Sequence, residues 1–134
     1  MNIFLKGRNI KEDCISNIAS LGDFIFVSGQ CGQGKTIEEQ TKVAFSKLIE
    51  QLSSFDLECR HIVKTNVYLN DLEMKSAFLE LYRTYFEAPF PACSIVEVQR
   101  LEEDAMIMID AFAINTLRYE KKLKESSCDH CQSC

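Results

Sequence analysis

The sequence predicts an α+β domain of two layers, in which two helices cover one face of a sheet. Its 134 residues are the length of a single domain with one hydrophobic core. Strand-like and helix-like segments follow one another in the order strand, helix, strand, helix, strand, strand. Because only two segments carry the amphipathic pattern of a core-facing helix, the other face of the sheet is left uncovered.

The first strand and helix are predicted between residues 24 and 55. Phe24–Ser28 is a short apolar, aromatic and β-branched run between two glycines, which is typical of a buried strand. Thr36, with Glu39 three residues later, forms the pattern of a capping box and predicts that a helix begins here. The apolar stripe of this helix consists of Ala44, Phe45, Leu48, Leu52 and Phe55. One or two short strands are expected before this unit.

The rest of the domain repeats the pattern and ends in two strands. His61–Leu69 is rich in Val, Ile, Thr and Tyr and predicts a core strand. Asp71 is placed to cap the following helix. The apolar stripe of that helix consists of Met74, Ala77, Phe78, Leu81, Tyr82 and Tyr85. The last two strands are predicted at Cys93–Val98 and Ala105–Asn115, joined by an acidic turn at Leu101–Asp104.

The last strand also predicts an oligomer. Ala105–Asn115 is apolar on both sides, so we expect the uncovered face of the sheet to pack against another subunit. Residues 1–118 form the predicted domain, and residues 119–134 form a polar, cysteine-rich C-terminal tail.

Composition and charge exclude several classes of protein. Apolar residues make up 46% and charged residues 26% of the chain, which argues against disorder. The net charge is −5, and no basic stripe exists beyond the lysines of residues 121–124, so no nucleic-acid partner is expected. The longest apolar run, Ala105–Ile114, is too short to span a membrane, and no signal-peptide pattern is present. A cytoplasmic protein without a membrane partner is therefore expected.

Gly29–Thr36 matches G-x-x-x-x-G-K-[ST], the pattern of a phosphate-binding loop in nucleotide hydrolases. It lies between a predicted strand and a predicted helix, and Asp110 offers a carboxylate for magnesium. However, the capping box already uses the Thr36 hydroxyl, and the chain has too few strand–helix units for a parallel sheet. Asp110 also lies inside its strand rather than at its end. The sequence favours a glycine-rich turn followed by a capped helix.

Three of the seven cysteines lie in the tail, as Cys128, Cys131 and Cys134, with His130 among them. The C-x-x-C-x-x-C spacing can hold zinc or three corners of an iron–sulfur cluster. The alternatives are a thiol tail that captures metal or oxidises adventitiously, and a redox tether between subunits. No cofactor is expected for the rest of the chain.

Several segments between residues 21 and 114 together resemble one family, the RidA/YjgF proteins, also called the Rid or L-PSP endoribonuclease family. They occur in the family's order and with its spacing, apart from a shortened loop after Gln30. The matching segments are Phe26–Gln30, Glu39–Thr41, Ile62–Leu69, Asn70–Leu72, Tyr82 with Tyr85–Phe86, Phe90–Ala92, Ser94–Val98 and Ile109–Ala113.

The resemblance implies a chorismate-mutase-like fold, a homotrimer, and small-molecule pockets in the clefts between subunits. In the best-known branch, these proteins hydrolyse reactive 2-imino and enamino acids to keto acids and ammonia. There an arginine binds the substrate carboxylate through a bidentate pair. A glutamate positions the attacking water, and a tyrosine near the N-terminus closes the cleft.

The sequence departs from this family pattern at four positions. Cys93 stands in place of the arginine, and the tyrosine position falls near Ile15. A pocket asparagine corresponds to Leu79, and the glutamate position holds Asp110, which keeps the charge. The remaining positions expected to line the substrate site are Ser28, Gly29, Ser94 and Ile95.

Cys93 and Asp110 are the candidate catalytic residues. Cys93 is either a nucleophile or thiol ligand with Asp110 as a nearby base, or a buried, inert residue that fills the arginine's space. Asp110 is expected to be desolvated or paired, as a catalytic group or as a structural carboxylate. Each lost charge-assisted hydrogen bond weakens carboxylate binding by about 1.5–3 kcal/mol, unless Arg83 or Arg100 replaces the arginine.

Together these observations predict a homotrimer that binds a small metabolite in its subunit clefts. Whether it is a 2-imino or enamino acid deaminase is left open. The alternative is a non-catalytic ligand-binding module, or a redox- or metal-responsive one that acts through the cysteine-rich tail.

Overall fold

The computed structural model describes the backbone of residues 1–132 and the side chains of residues 1–125. Its strands are β1 (Leu5–Glu12), β2 (Ile15–Leu21), β3 (Phe24–Cys31), β4 (Ile62–Leu69), β5 (Ala92–Glu97) and β6 (Ile107–Ile114). Its helices are α1 (Ile37–Ser53), α2 (Lys75–Tyr82) and α3 (Leu117–Gln132). The predicted α+β class, with two short strands before β3, is confirmed. Among the described helices, none is both long and apolar enough to cross a membrane.

The six strands form one mixed sheet in the order β1-β2-β3-β6-β4-β5. Neighbouring strands are antiparallel except for β4 and β5, which run parallel because α2 connects them. The central position of β6 explains why its sequence is so apolar.

Alternate residues of β6 face the two sides of the sheet. Ile107, Ile109, Ala111 and Ala113 are at most 5% exposed and belong to the core beneath the helices. The stripe of α1 packs on them, and Phe45, Leu48 and Leu52 are fully buried. The intervening residues, Met108, Asp110, Phe112 and Ile114, are only half-buried. They lie on the other side of the sheet, here called the open face.

The open face carries an aromatic patch. Phe24 and Phe26 on β3 are 51% and 42% exposed, and they pair with Ile114 and Phe112 across the β3–β6 ladder. The rings of Phe26 and Phe112 meet edge to face, with centroids 4.8 Å apart. Among the described residues, no helix covers this apolar surface, as the two-helix pattern predicts.

Local sequence signals place the helices. The Thr36 hydroxyl accepts a hydrogen bond from the Glu39 amide at 3.1 Å, which confirms the predicted start of α1. Asp71 caps a 3₁₀ turn, Leu72–Met74, that leads into α2. β4 begins one residue later than predicted, because Cys59–His61 form another 3₁₀ turn.

The chain continues into α3 where the sequence predicts a polar tail. The first turn of α3 is fixed by the Glu120 carboxylate, which accepts hydrogen bonds from Thr116 at 3.0 Å, His61 Nε2 at 3.1 Å and Arg60. These hydrogen bonds lower the pKa of Glu120 to about 2. The bond from His61 contributes most, and the bond from Arg60 contributes next. Helix α3 includes positions 128, 130 and 131 of the predicted metal site, and Cys134 lies outside the described residues.

Candidate functional site

The Asp110 carboxylate is held on the open face by two donors from β4. The Asn66 amide donates to Oδ1 at 2.9 Å, and the Tyr68 hydroxyl donates to Oδ2 at 3.0 Å. Burial raises the pKa of Tyr68, and the bond to Asp110 raises it further, so this hydroxyl remains a donor at neutral pH. Asp110 is thus paired, and its remaining lone pairs can accept hydrogen bonds from water.

The predicted binding residues of β2 and β3 lie opposite this carboxylate. Ser28 and Gly29 form a β-bulge, and in the β3–β6 ladder this bulge falls between the partners of Ala111 and Ile109, facing Asp110. The Ser28 hydroxyl donates to the Ser16 carbonyl at 2.7 Å, which keeps the start of β2 beside the bulge.

The bulge favours glycine because a side chain at this position would collide with Met108. A Cβ at Gly29 would lie 2.5 Å from the Met108 sulfur. Ile15, at the position of the family's tyrosine, is 40% exposed at the start of β2. Ile15, Ser28, Gly29 and Asp110 therefore belong to one region, which we call the bulge half-site.

Cys93 lies on the other face of the sheet and is exposed within the chain, so the expectation of a buried residue at this position is wrong for the single chain. Cys93 pairs with Thr65, which is fully buried beneath the helices, whereas its neighbour Ser94 pairs with Asn66 on the open face. Thr65, the strand partner of Cys93, shares a 2.8 Å hydrogen bond with the hydroxyl of Tyr82. Burial raises the pKa of Tyr82 to about 12, and the Cys93 thiol contributes to that increase.

The sheet therefore separates Cys93 from Asp110 within one chain, contrary to the expectation that Asp110 is a nearby base. Strand register causes this separation, because Asp110 pairs with Asn66, whereas Cys93 pairs with Thr65, the residue before Asn66 on β4. A joint action of the two side chains requires two subunits.

A cavity of about 460 Å³ lies against α2, and we call it the α2 half-site. Leu79, Tyr82 and Phe90 supply apolar walls, and Arg83 and Glu80 add one charge of each sign. Leu79 is the predicted pocket residue, and Tyr82 connects the cavity to Thr65, the strand partner of Cys93. Ile95, two residues beyond Cys93 on the same face, is half-buried against the core.

Sequence reasoning missed three polar residues. Asn66 and Tyr68 orient Asp110, and Lys11 donates to the Gly29 carbonyl at 2.8 Å. For the first two a signal existed, since Lys64, Asn66 and Tyr68 recur at every second position of an otherwise apolar strand. For Lys11 none existed, because β1 is almost entirely exposed and shows no alternation.

The residues that match the phosphate-loop pattern, Gly29–Thr36, form the end of β3 and the glycine-rich turn that the sequence favours. The Lys35 amide donates to the Glu39 carboxylate at 2.8 Å, and the Gly34 carbonyl accepts from Gln40 at 3.0 Å. A carboxylate thus occupies the helix start where a phosphate would bind. β3 also lies between two antiparallel neighbours, so the surrounding sheet differs from that of a nucleotide hydrolase.

Three comparisons with known proteins agree with this architecture. Residues 15–115 match the family described as Endoribonuclease L-PSP. A RutC family protein of Pyrococcus abyssi is 35% identical over 106 residues, which are 73% of this chain and 84% of that protein. A 2-iminobutanoate/2-iminopropanoate deaminase of Homo sapiens is 31% identical over 98 residues, which are 67% of this chain and 72% of that protein. The crystal structure of YyfA, a Rid family protein from Yersinia pestis, has the same fold with a TM-score of 0.78 at 23% identity, and the match covers 82% of this chain and 98% of that chain. The chain therefore belongs to the Endoribonuclease L-PSP family, the RidA/YjgF family that its sequence resembles.

Proposed function

We propose that this chain is a cytoplasmic homotrimer that binds a small, largely apolar metabolite in the clefts between its subunits. We base this on the position of the family's arginine, which holds Cys93. Its strand partner Thr65 is hydrogen-bonded to Tyr82, which lines the mainly apolar α2 half-site. A pocket of this kind favours an apolar ligand over a small carboxylate, because a thiol offers no charge-assisted hydrogen bond.

The two half-sites favour an assembly. The bulge half-site opens on the side of the sheet that the helices leave bare, and the α2 half-site lies on the helix side near the edge strand β5. A second subunit packed on the aromatic patch would bring its own α2 half-site toward Asp110. Burying that patch also provides the driving force, at about 25 cal/mol per Å² of apolar surface.

Hydrolysis of 2-imino acids is the reaction to test first, because deaminases are among the relatives. The Asp110 carboxylate, oriented by Asn66 and Tyr68, can accept a proton from a water that attacks the imine carbon. The family's arginine is the missing part, and Arg83 of the α2 half-site is the guanidinium that would have to replace it. Two lost charge-assisted bonds correspond to a loss of affinity of about a hundredfold or more.

The decisive experiment compares 2-imino acid hydrolysis by the natural chain and by Cys93→Arg. We expect slow turnover by the natural chain and at least a tenfold gain in Cys93→Arg, the size of one restored charge-assisted bond. Cys14→Arg is the matched control, since Cys14 is an exposed thiol outside both half-sites.

Each other outcome has a definite meaning. If the natural chain is as fast as Cys93→Arg, the carboxylate is held in another way, and the preference for an apolar ligand is wrong. If neither chain turns over substrate, the two half-sites do not form a deaminase cleft even with the arginine restored, and the proposed site is rejected.

The tail offers a second candidate function, as a metal- or redox-responsive segment. The C-x-x-C-x-x-C spacing with His130 supports it. The test is metal analysis of the full chain purified without oxygen, beside a control in which Cys128, Cys131 and Cys134 are replaced by Ser. Zinc or iron in the natural chain alone supports the proposal, and equal background metal in both rejects it.

A further inference from the structure

Another cavity lies next to the bulge, between the ends of β1 and β3, helix α1 and the acidic turn before β6. Its volume is about 340 Å³, within the range of about 300–1,000 Å³ that is usual for small-molecule pockets. The residues that carry its chemistry are Lys11, Gln30, Cys31, Lys47, Glu102 and Glu103. None of the residues that line it lines the α2 half-site. Gly29 is the residue that it shares with the bulge half-site.

One side of the cavity is cationic. Lys11 donates to the Gly29 carbonyl at 2.8 Å, and Lys47 donates to the Cys31 carbonyl at 3.0 Å. These carbonyls are two residues apart on β3, so the two ammonium groups are held near each other. Each ammonium carries three N–H donors. Among the described residues, no carboxylate lies within 4.0 Å of either one.

The floor of the cavity is polar and fixed. Gln30 is only 6% exposed, and its amide donates to Asn17 Oδ1 at 3.1 Å and to the Ser28 carbonyl at 3.0 Å. Gln51, 8% exposed, accepts from the Asn9 amide at 2.7 Å. Buried amides that are held in this way form a preorganised polar surface.

The remaining side of the cavity is anionic. Glu102 and Glu103 come from the acidic turn before β6. The Cys31 thiol senses all four charges: burial raises its pKa, the two lysines lower it, and the two glutamates raise it. The cavity therefore offers two positive and two negative side chains around one half-buried sulfur.

We propose that this cavity binds a small zwitterion, an α-amino acid. Its carboxylate lies between Lys11 and Lys47, and its ammonium faces Glu102 and Glu103. A simple anion would be attracted by the two lysines but repelled by the two glutamates. A simple cation would be attracted by the glutamates but repelled by the lysines. Only a ligand that carries both charges on neighbouring groups gains from both sides.

The test uses Cys31 as a reporter in the full natural chain. Alkylation of Cys31 is followed peptide by peptide with mass spectrometry, in the presence of each common α-amino acid in turn. At a concentration of about ten times Kd, the amino acid should slow alkylation about tenfold, because only the free protein reacts. Cys14, which is exposed and lies outside the cavity, should react at an unchanged rate.

Acetate and methylammonium separate the charge requirements. Protection by an amino acid but by neither single ion supports the proposal. Equal protection by acetate would show a plain anion site and overturn it, and so would a lack of protection by every amino acid.

Substitutions test which residues bind the zwitterion. Lys47→Gln and Glu103→Gln should each weaken protection at least tenfold, the effect of one lost charge-assisted bond. Lys42→Gln, an exposed position on the same helix, should leave it unchanged. If Lys47→Gln fails to fold, Lys11→Gln gives the same comparison. Unchanged protection in the folded variants would refute the proposal, whereas Cys93→Arg should not affect it.

Discussion

The buried pair of hydroxyls beneath Cys93 yields a sharp prediction about stability. Thr65 is fully buried, Tyr82 is 6% exposed, and their oxygens lie 2.8 Å apart. Tyr82→Phe takes away the partner of the Thr65 hydroxyl, and leaving a buried hydroxyl unsatisfied costs about 1–3 kcal/mol. Thr65→Val keeps the shape of that side chain but leaves the Tyr82 hydroxyl without its partner, so it should cost a similar amount, about 1–3 kcal/mol.

The double variant tests this reasoning. It removes both polar groups, so it should lose less stability than the two single losses added together, with a coupling of about 1 kcal/mol. The free energies of unfolding come from urea titrations at one fixed protein concentration, because association changes apparent stability. Tyr119→Phe, at a 47% exposed position, should change little. Losses that simply add, within about 0.5 kcal/mol, would refute the coupling.

Three further predictions concern the bulge, α3 and the glycine-rich turn. Gly29→Ala should destabilise the chain by about 1–3 kcal/mol, because the new Cβ would lie 2.5 Å from the Met108 sulfur, and the same urea assay should find a smaller loss in a Met108→Ala background. The pKa of Glu120 is lowered from 4.5 to about 2, so its stabilisation is present above pH 4.5 and is lost as the pH falls toward 2. Across that window stability should fall less steeply in Glu120→Gln, and parallel slopes would contradict the assignment. Magnesium ATP should not raise the melting temperature of the natural chain, and a rise that Lys35→Ala abolishes would restore the phosphate-loop interpretation.

Much of this fold could be predicted because its signals are local. Thr36 and Glu39 are three residues apart, so the capping box alone locates the start of α1. The stripe of α1 and the aromatic run of β3 identify their elements by periodicity. Asp110 is also a local signal, since a carboxylate inside an apolar strand needs a partner.

The site could not be predicted in the same way, because it depends on register. No local pattern states that Asn66 and Tyr68 meet Asp110 across 44 and 42 residues of sequence. The face of the sheet on which Cys93 or Asp110 lies depends on which residue of β4 it pairs with. A shift of one residue in either strand pairing would place both side chains on the same face. The role of Lys11 is even harder to predict, because the exposed edge strand β1 shows no alternation of buried and exposed residues.

The proposed shared cleft requires assembly, because its two half-sites lie on opposite sides of the sheet of one chain. Phe26 is 42% exposed in the aromatic patch of the open face, so Phe26→Asp should leave the single chain folded. In an assembly the new carboxylate would be buried without a partner, at a cost of several kcal/mol that disfavours association. We expect sedimentation to show an oligomer for the natural chain and a monomer for Phe26→Asp, with unchanged circular dichroism. Leu123→Asp, at a 69% exposed apolar position on α3, is the matched control and should remain oligomeric. A natural chain that sediments as a monomer would contradict the shared cleft, because Cys93 and Asp110 of one chain lie on opposite faces of its sheet.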